Sequence, residues 1–219
     1  MSSLEKMMLW MPQLLNGTKM TILIAVVAVG VGLFLSIFLA LGKISKNPIL
    51  NKFCSAYIFF FRGTPLLMQI YFIYFGLPQF NKALTIRSAF VAAMIAYVLN
   101  SAAYLAENIR AGIQSIDKGQ YEAAKVLGMT YAQTMTLVII PQTVRRLIPP
   151  VGNEFIMVLK DVSLVAIIGL SDLTKVTRAI SSSSATALVY IPAMAIYLVI
   201  TALFTFIFDK LEKKYSVYE

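Results

Sequence analysis

The chain is 219 residues long, with 59% hydrophobic and 13% charged residues. Soluble domains carry about 45–50% apolar and about 25% charged residues, and a chain this short has too little interior to hide the excess. A soluble monomer, a disordered tail and a coiled coil are therefore excluded, and the surplus apolar surface must face lipid. The formal charge of +9 would suggest nucleic acid in a soluble protein. In a membrane protein it reflects basic cytoplasmic loops, and no nucleic-acid partner is expected. Cys54 is the only cysteine, so no internal disulfide can form. There is no histidine, which removes the commonest metal ligand and acid–base group.

A helix that crosses a bilayer needs about 20 apolar residues. Lys19 and Lys43 bracket the first such run, 20–42, with no charge inside it. The second, 53–76, contains Arg62, and Gly63-Thr64-Pro65 lies roughly 15 Å above Lys52 at 1.5 Å per residue. Pro65 lacks an N–H and Gly63 permits close approach, so a broken helix is expected there. Irregular backbone at that depth is tolerated only where it is buried or lines a cavity. The third run, 88–107, ends at Glu107 and holds Asn100 and Ser101 near its middle. The fourth, 147–170, is mostly Val, Ile, Leu and Met but carries Glu154, Lys160 and Asp161. The fifth, 185–208, follows a polar Ser181–Ser184 stretch and has Pro192 as an expected kink.

These readings give an all-α integral membrane protein with five transmembrane helices in a single domain, 1–219. Five crossings put the termini on opposite sides, and lysine and arginine choose which. Lys43, Lys46, Lys52, Arg110, Lys118, Lys125, Arg145, Arg146, Lys210, Lys213 and Lys214 fall on one side; fewer fall on the other. The N-terminus is therefore expected outside and the C-terminus in the cytoplasm. No removable signal peptide is read in the first 19 residues.

The remaining long segment, 109–142, is cytoplasmic in this topology and reads as a helical hairpin. Asp117 with Gln120, and Thr130 with Gln133, each suit a capping box. Tyr121–Leu127 then forms a short helix, Gly128 provides a left-handed stop, and Tyr131–Ile140 continues as helix to Pro141. Ala123 and Ala124 keep the first helix thin, so that another surface can approach closely. A hairpin lying on the bilayer is the plainer alternative.

Glu122-Ala123-Ala124, Gly128 and Val138-Ile139-Ile140-Pro141 are similar to the EAA motif of ABC-importer permeases, with Val138 and Ile140 as conservative departures. Phe61-Arg62-Gly63-Thr64-Pro65-Leu66-Leu67-Met68-Gln69, and the stretch from Pro149 through Leu164, resemble the polar amino acid subfamily. The resemblance implies the type I importer permease fold and a transmembrane subunit of an ATP-driven importer in a bacterial cell membrane. It implies a second permease subunit, identical or homologous, two copies of an ATP-binding cassette subunit, and an extracytoplasmic amino-acid-binding protein. The hairpin would be the coupling helix, with Glu122, Ala123, Ala124 and Gly128 docking on the ATPase. Glu122 either pairs with a partner arginine or caps its own helix. ATP and Mg would belong to the partner, since the chain has no phosphate-binding loop of the G-x-x-x-x-G-K-[ST] type. The chain is therefore not expected to be an enzyme or to hold a cofactor or metal.

An ionisable group inside a span is costly and marks function by default. Glu154 and Asp161 are two helical turns apart, so they share a face with Met157 and Val158. Two carboxylates there can hold the ammonium of an amino acid or a basic side chain; a neighbouring cation such as Lys160 can equally neutralise them. Asn100 binds substrate or glues helices, Arg62 attracts a substrate carboxylate or pairs with Glu107, and Thr64, Leu67, Met68 and Met157 are candidate pathway residues. The expected substrate is a polar amino acid, with basic ones included. The competing reading is a proton-coupled secondary transporter that uses Glu154 and Asp161 as a relay. A membrane scaffold whose hairpin docks a soluble partner is a third.

Overall fold

The computed structural model describes residues 2–215, which contain no strand. The two ends of the expected domain, Met1 and residues 216–219, lie outside the described residues. Helix α1, Ser3–Ile44, begins far ahead of the expected run. A reciprocal cap starts it: Ser2 Oγ accepts from the Glu5 N–H at 3.3 Å, and Glu5 Oε2 accepts from the Ser2 N–H at 2.8 Å. Its 42 residues reach roughly 63 Å, about twice the 30 Å hydrocarbon core of a bilayer. Leu14, Ile24, Ala25, Ala28 and Val29 face the core, whereas Leu23, Val27, Phe34 and Phe38 are exposed where lipid would cover them.

Helix α2, Pro48–Gly63, starts at the Asn47 cap and stops at the expected break. The second run is not one kinked rod, however. The chain turns by 103° between α2 and α3, Leu66–Phe80, which itself contains a π turn at Phe72–Gly76. Helix α4, Ala89–Gln114, runs two turns past Glu107. It packs on α1 through small residues: a Cβ on Gly32 would stand 3.1 Å from Ser101 Cβ, and Ala28 on α1 and Ala96 and Ala102 on α4 are fully buried. Small side chains let the two backbones approach where lipid provides no hydrophobic drive.

Helix α5, Lys118–Val126, leads to a turn and then to Tyr131–Gln133, a π turn at Thr134–Ile139, and α6, Ile140–Asp161. The second hairpin arm therefore does not end at Pro141. The π turn is closed by the Ile140 N–H on the Met135 carbonyl and takes Pro141 into the helix where its missing N–H is absorbed. At its far end α6 stops at Asp161. Val162–Ile168 continues as a 3-10 turn to Gly169 at φ +89°, so the fourth expected run is not a single helix. Helix α7, Leu173–Ser184, is capped by the buried Asp172 and separated by Ala185 at φ +46° from α8, Tyr190–Tyr215. The fifth run is thus shifted toward the C-terminus.

Helices α1, α4 and α8 are long and apolar enough to cross a membrane, and the bent α2–α3 pair makes a fourth if taken as one span. Helix α6, which overlaps the fourth expected run, is not among them. Its sequence contains Arg145, Arg146, Glu154, Lys160 and Asp161, and these charges remove it from any measure based on hydropathy. It is nevertheless packed inside the bundle, with Phe155, Val158 and Leu159 buried in the main core.

Candidate functional site

The break in the second run organises the site. In a continuous helix the Phe61 carbonyl would accept the N–H of residue 65, but Pro65 has none. Thr64 and Pro65 instead adopt extended ψ angles of 145° and 133°. Side chains take up the stranded carbonyls. Gln69 Nε2 donates to Phe61 O at 3.0 Å, to Thr64 O at 3.1 Å and to Thr64 Oγ1 at 2.8 Å. From α4, Asn100 Nδ2 donates to Phe61 O at 3.0 Å and to Gln69 Oε1 at 3.0 Å. Both amides are buried, so the break is held open by a satisfied polar network rather than by strain.

Beside this break lies a cavity of about 310 Å³. The break contributes Arg62 through Leu66, α4 contributes Tyr97, Asn100 and Tyr104, and α6 contributes Glu154, Met157, Val158 and Asp161. The α6 residues recur at intervals of three and four, the spacing of one helical face. Glu154 is 8% exposed and accepts from Ser101 Oγ at 3.5 Å. Asp161 is exposed, and its backbone carbonyl accepts from the Tyr97 hydroxyl at 2.5 Å. Five of the expected substrate residues, Thr64, Asn100, Glu154, Met157 and Asp161, thus line one space. Leu67 does not line it; Leu66 stands there, because the sharp turn reorients the first turn of α3. Asn100 acts as helix glue through its amide hydrogens while also facing the cavity.

On one side of the cavity Arg62 reaches toward Glu107 at 4.0 Å, one of the two roles the sequence left open for it. Glu107 already has closer partners, Lys43 at 2.8 Å and Arg110 at 2.5 Å. The Arg62 guanidinium also sits over the Tyr104 ring, 5.3 Å from its centroid, a cation–π contact. Gln69, Tyr97, Tyr104 and Leu66 were not among the expected site residues. A polar residue one turn past a proline break was the available signal for Gln69. Tyr97 and Tyr104 stand three before and four after Asn100, which places them on its face.

The hairpin is a second candidate surface. Leu127 caps α5, and Gly128 follows at φ +73°. The Met129 N–H bonds to Ala124 O and the Gly128 N–H to Lys125 O, each at 3.0 Å, the pairing of a Schellman stop. The Thr130–Gln133 box forms reciprocally. At the start of α5, Asp117 caps through the Gly119 N–H at 2.6 Å. Glu122, Ala123 and Gly128 are exposed, whereas Ala124 is only 3% exposed and turns into the hairpin. Val126, Leu127 and Tyr131 are the exposed apolar side chains of this turn, at 87%, 79% and 75%. Partial burial, with Tyr131 nearby, pushes the Tyr121 hydroxyl above its ordinary pKa. Among the described residues no cluster suited to a metal ion is found.

Residues 32–217 match the family model of the binding-protein-dependent transport system inner membrane component. The chain belongs to that family. It is a multi-pass permease subunit of the inner membrane. The permease is 37% identical to the glutamine transport system permease protein of Escherichia coli (strain K12) over 207 residues, 94% of each chain. It is 41% identical to the arginine transport system permease protein of Bacillus subtilis (strain 168) over 206 residues, 93% of this chain and 92% of that one. A crystal structure of an amino acid ABC transporter with histidines superposes with a TM-score of 0.91 at 41% identity, covering 98% of the permease and 99% of that chain. The MetNI methionine ABC transporter in an inward-facing form gives a TM-score of 0.73 at 18% identity and shares the fold.

Proposed function

We propose that this permease forms half of the translocation pathway of an ATP-driven importer for a polar amino acid, with the cavity beside Pro65 as its substrate site. The observation that carries the reading is the placement of two carboxylates, Glu154 and Asp161, with Thr64, Asn100 and Met157 around one intramembrane space. A zwitterion leaving water needs fixed polar partners for its charges. Glu154 and Asp161 suit an ammonium, and together they favour a substrate with a second cation, which places basic amino acids first. The permease works as a pair, identical or homologous, with the N-terminus outside and the C-terminus in the cytoplasm. An extracytoplasmic binding protein delivers the substrate. The hairpin, with Glu122, Ala123 and Gly128 exposed, grips a cytoplasmic ATPase subunit that binds ATP and Mg, while Ala124 supports the hairpin from within.

The test is uptake in proteoliposomes that hold the permease, its ATPase subunit and its binding protein. Glu154→Gln is expected to lower uptake of a basic amino acid at least about tenfold, the size of one lost charge-assisted hydrogen bond, while the complex still assembles. The buried position of Glu154, with Ser101 as its hydrogen-bond partner, is what a proton relay would also use. Uptake that persists without ATP and stops when the proton gradient is collapsed would decide for that second reading.

A further inference from the structure

Arg62 lies at the meeting of two spaces. It lines the cavity beside Pro65, and with Gly63 and Tyr104 it also lines a neighbouring cavity of about 360 Å³ that contains Lys43. It is the one cation among the residues lining the first cavity, which also include Glu154 and Asp161. An α-amino acid brings a carboxylate as well as an ammonium. That carboxylate has two acidic neighbours in this space and one cation.

The hold of Glu107 on Arg62 is the weakest in its cluster. Lys43 and Arg110 make the close contacts to the Glu107 carboxylate, and Arg62 stands at 4.0 Å. Its side chain is the most exposed of the three cations, 41% against 24% for Lys43 and 27% for Arg110. Arg62 is also the penultimate residue of α2, where Gly63 has no neighbour to crowd it. Three cations share one carboxylate, so releasing Arg62 leaves Glu107 fully paired. Tyr104 offers its ring face as a surface along which the guanidinium can shift.

We infer that Arg62 is a two-position residue, parked on Glu107 when the cavity is empty and turned to the substrate α-carboxylate when it is filled. This inference rests on the proposed substrate site. Parking lowers apparent affinity by the fraction of molecules in which Arg62 is withheld. Weakening the parking contact therefore tightens binding, provided that Arg62 is present.

Binding to the detergent-solubilised permease–ATPase complex tests this by calorimetry. The probes are L-arginine and L-glutamine, each beside its decarboxylated analogue. Arg62→Met is expected to weaken binding of the amino acid about tenfold and to leave the decarboxylated analogue unchanged. Glu107→Gln is expected to tighten the amino acid severalfold, and the gain is expected to vanish in the Arg62→Met/Glu107→Gln double variant. Equal weakening of both members of a probe pair by Arg62→Met would overturn the inference, as would a Glu107→Gln gain that persists without Arg62. Should Glu107→Gln fail to assemble, Arg62→Lys decides: it must recover part of the amino acid affinity lost in Arg62→Met, again without effect on the analogue. Glu154→Gln serves as the control. If it leaves all binding intact, the substrate site itself is misplaced; if it weakens binding while Arg62→Met does not, only the two-position role fails.

Discussion

The polar network at Pro65 makes a quantitative prediction. Gln69→Leu removes three donated hydrogen bonds and the acceptor of one Asn100 hydrogen, yet Phe61 O keeps its bond from Asn100. Asn100→Leu removes the complementary set, and Phe61 O keeps Gln69. Each single change is expected to cost about 1–2 kcal/mol, in the upper part of the range for polar contacts in membrane bundles. The double change strips Phe61 O and Thr64 O of every side-chain donor. Bare carbonyls in a medium without water cost several kcal/mol, so the double variant is expected to lose about 4–6 kcal/mol, more than the sum of its parts. Adding Pro65→Ala restores an N–H at position 65 that can reach Phe61 O, and is expected to recover about 1–2 kcal/mol while straightening the break and abolishing uptake. The assay is a denaturing-detergent titration of the purified permease, followed by uptake in proteoliposomes. Single-variant costs that add to within about 0.5 kcal/mol, or a Pro65→Ala change that further destabilises the double variant, would refute the account.

Three other outcomes follow from particular contacts. Gly128 has φ +73° and open space where a side chain would stand, so Gly128→Val suffers backbone strain alone, about 1–2 kcal/mol. It is expected to reduce ATPase-subunit co-purification, whereas Gly128→Asn is tolerated; equal retention by both would argue against the turn's role. A Cβ on Gly152 would come within 2.7 Å of Phe208 Cγ, so Gly152→Ala is expected to cost about 1–3 kcal/mol. Phe208→Ala should partly relieve that cost, as measured in the same titration. Val126→Ser with Leu127→Ser changes side chains that are 87% and 79% exposed. Thermal stability of the isolated permease should not fall, while ATPase-subunit binding is expected to drop about tenfold or more; an unchanged pull-down yield would remove these residues from the docking surface.

Composition and local chemistry were sufficient for a good part of the molecule. The Thr130–Gln133 cap and the Gly128 stop depend on neighbours within a turn or two, and both formed as read; the uncharged run after Lys19 is helical, inside a helix that starts much earlier. The helical face shared by Glu154, Met157 and Asp161 follows from periodicity alone. The break at Pro65 was legible too, because a missing N–H is a property of the residue. Its angle was not: 103° depends on Gln69 and Asn100 reaching the stranded carbonyls from two different helices. For α6 the fourth run was read despite its charges, but its start at Ile140 and its stop at Asp161 were not.

What the sequence determined by itself was therefore how each stretch satisfies its own backbone and which side must meet lipid, since those energies are local. Tertiary structure alone decided that Leu66 rather than Leu67 lines the cavity, that Ala124 turns inward, and that Lys43 of α1 is a close partner of Glu107. Those outcomes depend on where separate helices cross, and charge and hydrogen-bond energies fall off within a few ångströms. A shift of a single residue in register would dissolve the site while leaving every helix intact.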